Sequence, residues 1–230
     1  MFILVSCNAV LDLQDYDEFL VDQLLTIDEN PITNVPADGH NSALIKVTLS
    51  RKATKGKRTV VLKTDKGFFH GGSDSLIAEA DNNFNISADL YSVQKGDATI
   101  HFKIQNVTLE KKKQVTFVQA FPTDISVKVD SFSVFNNYNA EVLITASLKS
   151  KNGIPTVGQP VTFKATINKN DFGDFLNNIS QAYSDTQGKA RIRFNPGKNA
   201  TEGYATITAT TINSDGEPQS GTTRIYIKPK

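Results

Sequence analysis

Residues 140–228 repeat, at the scale of a whole domain, the pattern of residues 43–120, and this restricts the chain to folds in which one module is used twice. The repeat is clearest where Ala43-Leu44-Ile45-Lys46-Val47-Thr48-Leu49 answers Val142-Leu143-Ile144-Thr145-Ala146-Ser147-Leu148. Both segments alternate with period two. Ala43, Ile45, Val47 and Leu49 share one face, as do Val142, Ile144, Ala146 and Leu148, while Lys46, Thr48, Thr145 and Ser147 turn the other way. Such alternation marks a half-buried strand. A second pair follows, Gly96 to Ile104 against Gly203 to Thr210, and each copy closes on a last strand, Gln114 to Ala120 and Thr222 to Lys228. Short β-branched strands separated by Asn, Gly, Asp and Lys fit a seven-strand sandwich.

The chain has 230 residues, room for a lead segment and two units of about 100 residues, each large enough to bury its own core. Phe121-Pro122-Thr123-Asp124 sets the boundary, because proline lacks the donor that a ladder requires. The domains are therefore expected at 31–122 and 123–230.

Within the second copy, Val161-Thr162-Phe163, Ser184-Asp185-Thr186-Gln187-Gly188-Lys189-Ala190 and Gly203-Tyr204-Ala205-Thr206-Ile207-Thr208-Ala209-Thr210 follow in order. This resembles the bacterial Ig-like domains of the invasin and intimin type. The resemblance implies an all-β chain of two tandem Ig-like β-sandwiches, used for binding, adhesion or spacing at a cell surface. The Asp-x-x-Gly-x-Ala segment also has a physical rationale: Asp185 can accept hydrogen bonds from the turn backbone, and Gly188 can take the positive φ of a bulged hairpin. The first copy opens similarly with Pro36-Ala37-Asp38-Gly39 but has Asp81-Asn82-Asn83-Phe84-Asn85-Ile86 at the turn, without glycine. An asparagine is expected to supply any left-handed residue there. The outer-membrane β-barrel segment of invasin-like proteins has no counterpart in these residues, so their self-anchoring route is not expected to carry over.

Leu4-Val5-Ser6-Cys7 resembles a lipobox, in which branched and small residues precede the cysteine that is acylated. Cys7 is the only cysteine, so no intrachain disulfide competes for it. Residues 1–6 are read as a signal-peptide remnant, although they carry no basic residue and too few apolar ones for a complete signal. A buried Cys7 packed as a small hydrophobe is the alternative. Lipid at Cys7 would place the protein on the outer membrane, facing the surface, since no stretch approaches the ~20 apolar residues of a transmembrane helix.

Residues 7–30 form an acidic tether or short amphipathic helix, with Leu13, Tyr16, Leu20, Leu24 and Ile27 on one helical face. The first 45 residues hold eight acids and no Lys or Arg, leaving 16 acids against 25 basic residues in the remainder. The lysines are spread over both copies, so a solvated face explains the excess better than a nucleic-acid surface. Lys111-Lys112-Lys113 reads as a hairpin tip with no aromatic for base stacking.

His40, His70 and His101 converge with no nucleophile, and nothing matches Gly-x-Ser-x-Gly, zinc-ligand spacing or a phosphate loop. No enzymatic activity, cofactor or metal site is expected; Asp124, Asp130 and Asp185 are calcium-type residues without EF-hand spacing. There is no Trp. The partner-binding candidates are Leu13, Tyr16, Leu20 and Leu24 in the lead, and Phe172 and Phe175 in a loop that extends the second copy, although a cap on the open end of the sandwich core is the better reading of the two phenylalanines. The expected function is a non-catalytic envelope lipoprotein whose partner is a surface protein or glycan. The alternatives are an accessory subunit of an outer-membrane transport or secretion complex and a carbohydrate-binding module.

Overall fold

The computed structural model describes residues 23–51, 58–105, 110–137, 139–197 and 201–229. These fall into two compact units: the described parts of Met1–Thr33, Ala43–Leu90 and Asp97–Thr116, and those of Asn34–Ser42, Tyr91–Gly96 and Phe117–Lys230.

In the first copy, β1 (Leu25–Ile27), β3 (Ser42–Leu49) and β6 (Asn85–Tyr91) form one sheet, in the order β1-β3-β6. The facing sheet runs β2-β8-β7-β4-β5, from β2 (Ile32–Pro36), β4 (Thr59–Thr64), β5 (Ser75–Glu79), β7 (Gly96–Ile104) and β8 (Glu110–Val118). The period-two pattern decides which side chains are buried. Ala43, Ile45, Val47 and Leu49 are buried, as are Val60, Leu62, Ala98, Ile100, Phe102 and Ile104 from the other sheet. Each large side chain so buried contributes roughly 1.5–3 kcal/mol.

The second copy reproduces this order. One sheet runs β14-β16-β11-β9, from β9 (Asp124–Val129), β11 (Val142–Lys149), β14 (Asp174–Phe175) and β16 (Lys189–Asn195). The other runs β10-β18-β17-β12-β13, with β15 also on β12: β10 (Ser133–Phe135), β12 (Pro160–Ile167), β13 (Asn170–Asp171), β15 (Gln181–Tyr183), β17 (Gly203–Ile212) and β18 (Pro218–Lys228). Strand for strand, β9-β11-β16 matches β1-β3-β6, and β10-β18-β17-β12-β15 matches β2-β8-β7-β4-β5. Val142, Ile144, Ala146, Phe163, Phe194, Ile207, Ile225 and Ile227 lie in one core between these sheets. Two segments that precede β9 in sequence also belong to the second unit, and the buried Thr156 ties one of them in. Its hydroxyl donates to the Ala37 carbonyl (3.1 Å) and accepts the Ala120 N–H (2.7 Å).

Three expectations are corrected. Leu25–Ile27 is a strand, where a helix was expected to run through Ile27: it pairs Leu25 with Leu49 and Ile27 with Val47, and helix remains only at Gln23 and Leu24 among the described residues. The three-residue alternation Leu25-Thr26-Ile27 matches the edge of β3, and that long-range pairing overrides the local 3.6-residue period. Lys111-Lys112-Lys113 lies inside β8. Lys113 is buried there because its ammonium donates to the main-chain carbonyls of Asp28 and of Asn30, the latter at 2.7 Å.

The third correction concerns the glycine-free turn. Phe84, not an asparagine, takes the left-handed conformation, with φ 64°. The hydrogen bonds of this turn duplicate those of the second copy. The Phe84 N–H donates to Asp81 O as the Gly188 N–H donates to Asp185 O, both at 3.0 Å, and each turn's fourth carbonyl accepts from Leu49 or Leu148 N–H at 2.8 Å. Gly188 has φ 71°, as the second copy's motif leads one to expect.

Candidate partner-binding surfaces of the second unit

Asn168 and Lys169 link β12 to β13, and both have positive φ, the signature of a two-residue hairpin turn whose twist suits its strands. The chain then crosses to the other sheet at Gly173. A Cβ there would stand 2.5 Å from the Phe194 ring and 2.8 Å from the Asn195 carbonyl, so only glycine passes. Beyond it, β14 pairs Asp174 with Asn195 and Phe175 with Phe194. Phe172 and Phe175 thus flank Phe194, with ring centroids 6.1 and 5.6 Å away, and Phe175 also meets Phe163 at 6.4 Å. Both are half-buried against the core. Their geometry is that of a cap on the open end of the sandwich.

This cap carries an exposed shoulder. A single 3-10 turn at Leu176–Asn178 follows β14 and leaves Leu176 and Ile179 about half exposed. A concavity of about 320 Å³ lies beside it, with Phe175, Leu176 and Phe194 as its apolar wall and Glu141, Asp174 and Arg193 among its polar groups. Arg193 donates to Glu141 Oε2 at 3.2 Å. Leu176 also lines a second concavity of about 310 Å³, together with Arg191 and Ile192. Arg191 is anchored by Asp185, whose Oδ2 accepts at 2.5 Å while its Oδ1 accepts from the Gln187 and Lys189 N–H groups at 2.8 and 3.0 Å. Partial burial raises the Asp185 pKa, but the Lys189 N–H, the Arg191 guanidinium and the Gln187 N–H outweigh it and hold the carboxyl below its ordinary value.

A second surface covers the outward face of β10, β18 and β17. Tyr204 stands opposite Tyr226 in the ladder, and Phe135 opposite Lys228. The two tyrosine rings lie 5.0 Å apart at an interplanar angle of 57°, and the Lys228 ammonium sits 5.8 Å from the Phe135 centroid. Tyr204 is 65% exposed and Phe135 52%. The Tyr226 hydroxyl donates to Glu202 Oε1 at 2.5 Å, a bond that raises the phenol pKa, with burial and the Glu202 charge adding to it. Phe132, 75% exposed, adjoins this face through its carbonyl, which accepts the Tyr226 N–H. Tyrosine, arginine and other large planar side chains dominate the energetic centres of protein interfaces. On this face Tyr204, Phe135 and Phe132 stand in solvent and Tyr226 is half-buried.

Sequence reading missed this face, though a signal was present. Tyr204 and Tyr226 fall out of phase with their buried neighbours Ala205, Ile207, Ile225 and Ile227, so each had to point outward. Of the residues it did single out, Leu24 is buried, and Cys7, Leu13, Tyr16 and Leu20 lie outside the described residues. Asp130 and Asp185 serve the backbone, Asp130 accepting the Leu143 N–H at 3.0 Å. Among the described residues no group of three His, Cys, Asp or Glu gathers as for a metal ion. His101 contacts Glu110 Oε1 at 2.9 Å in the first unit, and that bond chiefly lowers the Glu110 pKa.

Among solved structures, the chain is similar to invasin, a bacterial integrin-binding protein, at 17% identity over 90% of this chain and 39% of that one, with a TM-score of 0.55. It is also similar to the Yersinia pseudotuberculosis adhesin InvE (14% identity, 89% and 58% covered, TM-score 0.47). InvD of the same organism follows at 16% identity, 90% and 58% covered, TM-score 0.44. The chain therefore spans well under half of the invasin length. The invasin likeness establishes the fold, tandem Ig-like sandwiches. No protein-family model and no curated protein matches the chain.

Proposed function

We propose that this protein is a non-catalytic binding module of the cell envelope, tethered by lipid at Cys7 to the outer membrane and directed at a protein or glycan on a surface. The observation that carries this reading is the face of Tyr204, Tyr226, Phe135 and Lys228, where the exposed Tyr204 and Phe135 rings and the half-buried Tyr226 stand beside charged groups on a rigid sheet. Rigid aromatics lose little conformational entropy on binding, and here a sheet paired on both sides of β17 holds them in place. The invasin-type fold supports an adhesive use.

A second reading, an accessory subunit of an outer-membrane transport or secretion complex, draws on Leu176 and Ile179, exposed apolar side chains beside two concavities. The two readings separate in cells. Cells producing the full chain are expected to adhere to purified matrix glycoproteins or printed glycans, and Cys7→Ser is expected to abolish both palmitate labelling and adhesion. Unlabelled protein would remove the anchor, and equal adhesion by cells lacking the chain would remove the adhesive role.

A further inference from the structure

The edge strand β5 takes no part in either surface described above. It ends its sheet, paired with β4 along Thr59–Glu79, Val61–Ile77 and Lys63–Ser75, and among the described residues no strand pairs with its other edge. Residues Ser75-Leu76-Ile77-Ala78-Glu79 include no lysine and no proline, the usual guards of an exposed edge. Ile77 is 71% exposed at the centre. In an antiparallel ladder alternate residues aim both backbone groups to the same side, so this edge presents the N–H and C=O groups of Ile77 beside its uncovered apolar side chain, while the Ser75 N–H donates to Ser73 Oγ at 3.2 Å.

We propose that β5 is where two copies of this chain associate, edge to edge and antiparallel about Ile77. The strand is self-complementary in that register. Ile77 falls opposite Ile77 of the second copy, and with Val61 on each side the outward face gains an unbroken apolar row of four residues. In the flanking rows, Ser75 falls opposite Glu79. Lys63 then lies two strand spacings, about 10 Å, from the second copy's Glu79, with only a serine between them, so the two long side chains can meet. On the inward face the row reads Leu62, Leu76, Ala78, Val60, apolar throughout. An in-register parallel pairing would set Glu79 against Glu79 of the second copy, and an antiparallel register shifted by one residue would set polar side chains against the apolar rows. The seam is short, below the ~1,000 Å² of a stable interface, so the association is reversible.

Cysteine placement reads the register directly. In a Cys7→Ser background, Ile77→Cys puts two thiols opposite each other at a separation that a disulfide spans. Under mild oxidation the Ile77→Cys chain is expected to form a covalent dimer about tenfold faster than Leu44→Cys, an exposed position on the central strand β3. In sedimentation equilibrium, Ile77→Lys is expected to abolish the dimer that the wild-type chain forms as concentration rises. Circular dichroism identifies folded variants, and Ile77→Ser replaces the lysine variant if that one does not fold. Equal oxidation rates at positions 77 and 44, or a dimer that survives substitution of Ile77, would overturn the proposal.

Discussion

The Arg58 guanidinium lies over the Phe84 ring, 4.5 Å from its centroid. Phe84 is the residue that adopts positive φ where the second copy has Gly188, so a ring contact accompanies the unfavourable backbone. Phe84→Ala loses the ring and keeps the strain, whereas Phe84→Gly loses the ring and relieves it. The glycine variant is therefore expected to be more stable than the alanine variant by about 1 kcal/mol. Gly188→Ala is expected to cost more, because its Cβ would stand 2.9 Å from the Leu148 carbonyl. Urea denaturation of the three variants checks the order.

Lys113 is a structural cation. Lys113→Met keeps the stem but strands the Asp28 and Asn30 carbonyls, and the loss is expected at about 1–3 kcal/mol. Substitution of its exposed neighbour Lys112 by Met is expected to change stability by less than about 0.5 kcal/mol. Paired chemical denaturation measures both.

Asp185 makes stability depend on acid. Its pKa is lowered on folding from an ordinary 3.8, so its contribution is complete above that value and lost as pH falls through the lower folded one. Asp185→Asn is expected to unfold more easily than wild type at neutral pH, with the difference narrowing as pH falls below 3.8. Thermal melts across that range read the convergence.

Much of the fold was legible because alternation is a local signal: Ile45, Val47, Ile144 and Ile207 declared their faces without knowledge of any partner strand. What escaped depended on long-range contacts. Lys113 reads as a surface charge until the carbonyls of residues 28 and 30 are known to lie against it. Leu25 and Ile27 fit a helical face until β3 offers them a ladder. For the same reason Phe172 and Phe175 read as a core cap or as ligand contacts, the cap favoured, until Phe194 was placed between them. The aromatic face went unread because its members come from three strands separated in sequence.

The most direct test of the binding role is surface plasmon resonance of the purified chain over the matrix glycoproteins and glycans that its cells adhere to, comparing wild type with Tyr204→Ala and Phe135→Ala. Both side chains are more than half exposed, so melting temperatures are expected to stay within about 2 °C of wild type. Affinity is expected to fall at least about tenfold in each variant. Undiminished affinity in both variants would contradict the account.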